Sequence, residues 1–155
     1  MTATNHALTG ALIGLSVSNP WLAVPAAFLS HFVLDAIPHF GFKGVKTDAE
    51  LLPRQWFKRL LMAEMLLCFS LVVLLAVVHP TDWAVAAVTA FVATSPDLYS
   101  LPRFLYANGL MKKPPVLNAF RRFHSAIQTE RVWGAGVEVA WFVAIGWLLA
   151  SKLFT

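Results

Sequence analysis

Between Leu60 and Val78 the chain carries one charged side chain, Glu64, in nineteen residues. A bilayer-spanning helix needs about 20 predominantly apolar residues, so this stretch predicts a membrane segment, about 56–78. Four further apolar segments surround it, at about 4–18, 21–37, 83–95 and 132–153. Their limits are set by Ser18-Asn19-Pro20, by Pro38-His39-Phe40-Gly41, by the turn His79-Pro80-Thr81-Asp82 and by Pro96-Asp97, since proline and glycine interrupt helices. The expected fold is all-α: an integral membrane helical bundle of about five helices, forming a single membrane domain over residues 1–155. Segments 4–18, 21–37 and 83–95 fall short of a full span, which calls for tilt or local thinning of the bilayer.

Composition agrees. Hydrophobic residues make up 58 % of the 155 and charged residues only 13 %, against roughly 45–50 % apolar in soluble proteins. The net charge of +4 is accounted for by basic loops of a membrane protein, and no nucleic-acid partner is expected. Met1 to His6 holds no Lys or Arg, unlike the start of a signal peptide, so the first segment is expected to be retained. The lone Cys68 sits in an apolar run, which excludes a disulfide and a Cys-based zinc site.

Trp21, Trp56, Trp83 and Trp133 each open a segment, as interfacial aromatics do. Gly10 and Gly14 leave one side of the first helix slim enough for close packing, expected against the second. Lys43, Lys46, Arg54, Lys58 and Arg59 follow the second segment or open the third. Arg103, Lys112, Lys113, Arg121, Arg122 and Arg131 lie between the fourth and fifth. The two opposite connections contain no Lys or Arg, and of the twelve basic residues only Lys152 lies elsewhere. The positive-inside rule then places the N-terminus and both long loops in the cytoplasm. The expected location is a bacterial inner membrane, with multiple passes.

Against this background, Ser30-His31-Phe32-Val33-Leu34-Asp35-Ala36-Ile37-Pro38-His39 stands out. His31 and Asp35 share a helix face one turn apart, and His39 follows the proline that ends the helix. Ionisable groups in a membrane segment mark a functional site by default. The expected topology brings His6, Asp97 and His124 to the same leaflet, as candidates for a common metal site with His31, Asp35 and His39. Asp97 is expected to close the fourth helix, where the dipole disfavours a carboxylate and a cation or Arg103 would offset it. His124 belongs to an amphipathic stretch, about 116–130, expected to lie in the interface. Arg121 and Arg122 on that stretch are candidates for gripping a phosphate or carboxylate, or for anchoring lipid headgroups. Glu64 and Glu138 are candidates for general base or for structural hydrogen bonding.

His and Asp without Cys suit a divalent metal, zinc first and manganese or iron next. A bound cation lowers the pKa of coordinated water toward ~7, so metal-assisted hydrolysis is the natural chemistry. His6 before Leu8-Thr9-Gly10, His31-x-x-x-Asp35 with Pro38-His39, Ser95-Pro96-Asp97 and His124-Ser125 form an ordered series. In this the chain resembles small bacterial inner-membrane proteins described as metal-dependent hydrolases, including the LexA-regulated type. Their ligand pattern is similar to that of zinc-dependent phospholipases C, which implies a phosphoester substrate. Members of that group often carry His-Arg-Gly-x-Thr-His-Ser in the late motif, whereas this chain has Phe120-Arg121-Arg122-Phe123-His124-Ser125, one histidine fewer.

The leading expectation is hydrolysis of a lipid-linked or amphipathic phosphoester at the cytoplasmic face, with membrane lipid as surroundings and a homo-oligomer compatible with the chain's size. Its rivals are a non-catalytic metal-binding or transport protein, and an assembly factor whose polar cluster pins helices together.

Overall fold

The computed structural model describes residues 1–43, 47–78, 82–116 and 118–154. The expected turn at His79-Pro80-Thr81 and the basic residue Lys46 lie outside them. The described chain is almost wholly helical. Helix α1 spans Ala3–Ser16, α2 Pro20–Ala36, a two-residue strand β1 His39–Phe40, and the short α3 Asp48–Leu51. Then come α4 (Gln55–Val78), α5 (Trp83–Thr94), α6 (Leu101–Ala107), α7 (Ala119–Ile127), strand β2 (Glu130–Arg131) and α8 (Ala135–Phe154). Among the described residues, three stretches are long and apolar enough to cross a membrane: Gln55–Val78, Trp83–Ala107 and Val132–Phe154. α2 is apolar but shorter.

α1 lies at the centre, against α5, α2, α8 and α4. Ala7, Leu8 and Ala11 meet Leu71, Leu75, Ala86, Ala90, Ile145 and Leu149 in the core. The glycine face of α1 packs on α5, not on α2 as its spacing alone had suggested. A Cβ on Gly10 would stand 2.4 Å from the Thr89 carbonyl oxygen, and one on Gly14 would stand 2.7 Å from the Ala86 Cα. The reason is reciprocal: α5 offers Ala86, Thr89, Ala90 and Ala93, so two slim faces can bring their backbones together.

Pro96 does not end the fourth segment. The backbone tightens into a 3-10 turn over Ser95–Ser100 and runs on into α6. Pro96 and Pro102 each occupy the opening turn of a new helical piece, where a missing N–H costs nothing. Asp97 therefore stands in the first turn of a helical segment, and the unfavourable C-terminal position expected for it does not arise.

The first N–H groups of α1 receive no cap from their own helix. Carboxylates of two neighbouring helices serve instead. Glu138 of α8 accepts from the Thr2 amide at 3.0 and 3.1 Å, from the Thr2 hydroxyl at 2.8 Å and from Asn5 Nδ2 at 2.6 Å. Glu64 of α4 accepts from the Thr4 amide at 2.8 Å and the Thr4 hydroxyl at 2.7 Å. Negative charge at a helix N-terminus is favourable on both counts, as hydrogen-bond acceptor and toward the dipole.

Candidate metal centre

The four ligand-type side chains reach the site from three elements. α2 supplies His31 and Asp35 one turn apart, the 3-10 turn supplies Asp97, and α7 supplies His124. One ligand atom from each lies within 4.8 Å of the other three. His31 Nε2 is 2.9 Å from His124 Nε2 and 3.1 Å from Asp35 Oδ2, and His124 Nε2 is 2.9 Å from the same oxygen. Asp97 Oδ1 stands 3.8 Å from both imidazole nitrogens. Ligands about 2.0–2.1 Å from a tetrahedral zinc ion lie about 3.3 Å from each other. The observed separations bracket that value.

The donor set itself argues for a cation. His31 Nδ1 sits 2.8 Å from the Ala93 carbonyl oxygen. A carbonyl only accepts, so Nδ1 donates to it and Nε2 is the ring atom turned toward the cluster. That nitrogen meets a carboxylate oxygen and a second imidazole nitrogen. Such a gathering of bases is favourable around a positive ion, and the Ala93 contact is the kind of outer hydrogen bond that orients a metal-bound histidine. His31 and Asp35 are fully buried and His124 nearly so, whereas the Asp97 side chain is 35 % exposed. Phe32 packs edge-on to both His31 and His124, and Phe120 also lies against His124. These rings keep water from that side.

The remaining sequence candidates occupy other places. His6 is buried and stacks on His31 with ring centroids 4.0 Å apart. Its Nε2 faces the outer oxygen of Asp35, Oδ1, at 3.2 Å, and the Met1 α-amino group contacts the same oxygen. His6 thus supports Asp35 from behind the cluster, with its own Nδ1 buried and without a hydrogen-bond partner among the described residues. His39 turns its Nδ1 to the Ile37 carbonyl at 2.8 Å and lies in β1, paired with Glu130 of β2. Glu64 and Glu138 line a different cavity, of about 180 Å³, around the start of α1.

The β1–β2 pairing holds the site closed in the chain direction. The Thr129 amide donates to the Asp35 carbonyl at 2.9 Å, and the His39 amide to the Thr129 carbonyl at 3.1 Å. Glu130 accepts from the amides of Phe42 and Lys43 at 2.8 Å each. Lys43 Nζ reaches the carbonyls of Gln128, at 2.9 Å, and Ser125. Together these bonds fasten the end of α7 to the end of α2, and His124 to Asp35. Gly134 lets the backbones pass: a Cβ there would fall 2.2 Å from the His39 carbonyl carbon.

Beside the cluster lies a cavity of about 60 Å³, lined by Tyr99, Ser100, Arg103, Arg121, His124, Ser125 and Gln128. Arg121 is held there by the Tyr99 carbonyl, at 3.1 and 2.9 Å, and by the Val116 carbonyl at 2.9 Å. Arg122 is exposed and takes no part in the lining. Arg103 and Gln128 do line it, and neither stood among the sequence candidates for binding. Arg103 follows Asp97 by six residues, a separation that gains meaning only once the helix is seen to continue past Pro96.

No family model, curated protein or solved structure matches the chain.

Proposed function

We propose that this chain is an integral membrane protein of the inner membrane that binds a divalent metal through His31, Asp35, Asp97 and His124. In this reading it hydrolyses a lipid-linked or amphipathic phosphoester at the cytoplasmic face. The observation that carries the reading is the convergence of four metal-type ligand atoms beside a cavity walled by arginine. Membrane embedding is supported by outward-facing apolar side chains on the long helices, such as Val77 at 74 % and Trp147 at 71 % exposure. Orientation rests on the basic residues gathered on one side, and the resemblance to metal-dependent membrane hydrolases points the same way.

A divalent ion held by His31, Asp35, Asp97 and His124 would supply Lewis acidity for phosphoester hydrolysis. The chain's own residues do the rest. Ala93 and Phe32 orient the His31 ring, His6 braces Asp35, and Arg121 offers positive charge where a phosphate would enter. Zinc fits the two imidazoles and two carboxylates, and manganese or iron is accommodated by the same donors. Glu64 and Glu138 remain proposed for proton handling only through the cavity at the start of α1.

The near-complete burial of three of the four ligands favours one alternative, a metal-binding protein without turnover. Purified protein loaded with zinc, manganese or iron should hydrolyse aryl and short-chain phosphoesters, and Asp35→Ala should abolish the activity. Undiminished hydrolysis by Asp35→Ala overturns the proposal. Metal uptake with no turnover on either substrate class favours the alternative.

A further inference from the structure

The cavity around the start of α1 offers more hydrogen-bond acceptors than its own wall satisfies. Its polar side is formed by Thr2, Thr4, Asn5, Glu64 and Glu138, and no Lys, Arg or His lines it. Leu67, Val139 and Phe142 form the apolar side. The two carboxylates belong to α4 and α8, within stretches fit to cross a membrane. Ionisable groups in such surroundings are costly and are found paired.

Capping of α1 accounts for only part of this wall. The amides and hydroxyls of Thr2 and Thr4 are spent on Glu138 and on Glu64 Oε2. Glu64 Oε1 accepts no hydrogen bond from the described residues. Asn5 is 2 % exposed, and its side chain is turned to the same wall. Its Nδ2 donates to Glu138 Oε2 at 2.6 Å and to the Glu138 carbonyl at 3.1 Å. Both of those atoms only accept, so the orientation of the amide is fixed and its other atom is the oxygen. That Oδ1 is buried and has no hydrogen-bond partner among the described residues. A buried acceptor left unpaired is destabilising. What the wall lacks is a donor and, beside two carboxylates, a cation.

We infer that this cavity binds a primary ammonium group carried on an apolar tail, held by Glu64, Glu138 and Asn5 Oδ1. A primary ammonium brings three N–H donors and no acceptor, and its bonds to carboxylates are charge-assisted. A quaternary ammonium has the charge but no N–H, and would leave Asn5 Oδ1 unpaired. The cavity, at about 180 Å³, is an order of magnitude larger than the roughly 10–15 Å³ that one water needs, so it has room for more than a bare metal ion. Leu67, Val139 and Phe142 are exposed and carry the apolar wall out to the lipid-facing sides of α4 and α8, where a hydrocarbon tail is buried favourably. This site uses none of the metal ligands, and it stands or falls apart from the hydrolase reading.

The test is calorimetric titration of the full-length protein in a detergent without amine groups. The probes form two pairs matched in tail: hexylamine with hexyltrimethylammonium, and dihexanoyl phosphatidylethanolamine with dihexanoyl phosphatidylcholine. In each pair that binds, the primary amine should bind at least about tenfold more tightly than its quaternary partner, a difference of about 1.4 kcal/mol. Glu64→Gln should erase the preference. Its amide oxygen can still accept from Thr4, while its NH2 group puts a donor where the free acceptor stood. If that variant misfolds, the wild-type comparison of primary with quaternary amines decides by itself. Tighter binding of phosphatidylethanolamine than of hexylamine supports a lipid head group as the source, and the reverse order supports a soluble amine. No binding of either primary amine, equal affinity within both pairs, or a preference unchanged in a folded Glu64→Gln overturns the site. Displacement of the amine by equimolar magnesium ion, lost in Glu64→Gln, also overturns it, in favour of an inorganic cation. Metal content of the same samples bears on the hydrolase reading alone, because the amine preference is expected with or without a metal at His31 and His124.

Discussion

His31 Nε2 and His124 Nε2 approach to 2.9 Å although 93 residues separate them. The contact joins the C-terminal half of an apolar helix to a short amphipathic one. With His31 Nδ1 donating to the Ala93 carbonyl, its Nε2 is the atom directed at the second ring. A cation held between the two nitrogens would make this approach favourable, and Asp35 and Asp97 complete the surroundings.

Removing either His124 or Asp35 should therefore remove the ion. Wild-type protein purified without chelator should hold roughly one divalent ion per chain, as a four-ligand site implies. His124→Ala and Asp35→Ala should hold almost none by elemental analysis. Retained metal in both would mean that the wrong residues have been assigned.

His6 should behave differently from the four. It touches Asp35 at the oxygen facing away from the cluster, so His6→Ala should weaken metal binding about 10- to 100-fold, as loss of an outer hydrogen bond does. Full occupancy should still be reached at high metal concentration. A competition titration against a chromophoric chelator distinguishes a weakened site from an absent one.

Glu138→Ala should lower stability and leave the ion in place. The substitution strips the acceptor from the Thr2 amide, the Thr2 hydroxyl and the Asn5 side chain, and each buried group left unpaired costs about 1–3 kcal/mol. Thermal unfolding in detergent, with metal content determined in parallel, measures both effects. Loss of metal with unchanged stability would contradict the capping role.

Gly14→Val should disrupt the α1–α5 contact. Its Cβ would stand 2.3 Å from Thr89 Oγ1 and 2.7 Å from the Ala86 Cα, atoms of the facing helix. Overpacking of this sort costs about 1–3 kcal/mol or more. The change should appear as a lowered melting temperature, whereas Gly146→Ala, where an added Cβ meets nothing within 4 Å, should have little effect.

The apolar run at Leu60–Val78 and the segment boundaries near Trp21, Trp56 and Trp83 were legible in the chain. Helical periodicity and interfacial residues are local properties. His31 with Asp35 was legible for the same reason, because one helical turn places them together. The partner of Gly10 and Gly14 was not. Slimness says that a neighbour comes close without saying which neighbour, and α5 wins because its alanines offer a matching face. The course of the chain beyond Pro96 is not legible in the sequence, because a proline that ends one helix can equally open the next.

By itself, then, the sequence determined a largely helical chain with long apolar stretches near 56–78 and 132–153, and a His–Asp pair toward the end of an apolar helix; that a third stretch, Trp83–Ala107, is also fit to cross a membrane emerged only with the helix that continues past Pro96. Tertiary structure alone decided that Asp97 and His124 join that pair, that His6 stands behind it, and that Glu64 and Glu138 serve the start of α1. It also decided that Arg103, rather than the exposed Arg122, shares the cavity with Arg121. The physical reason is one of range. Hydrophobicity and helical spacing act between residues a few positions apart, whereas a ligand set is made by elements that meet only when slim faces, a two-residue strand pair and the reach of Lys43 lock distant parts of the chain together.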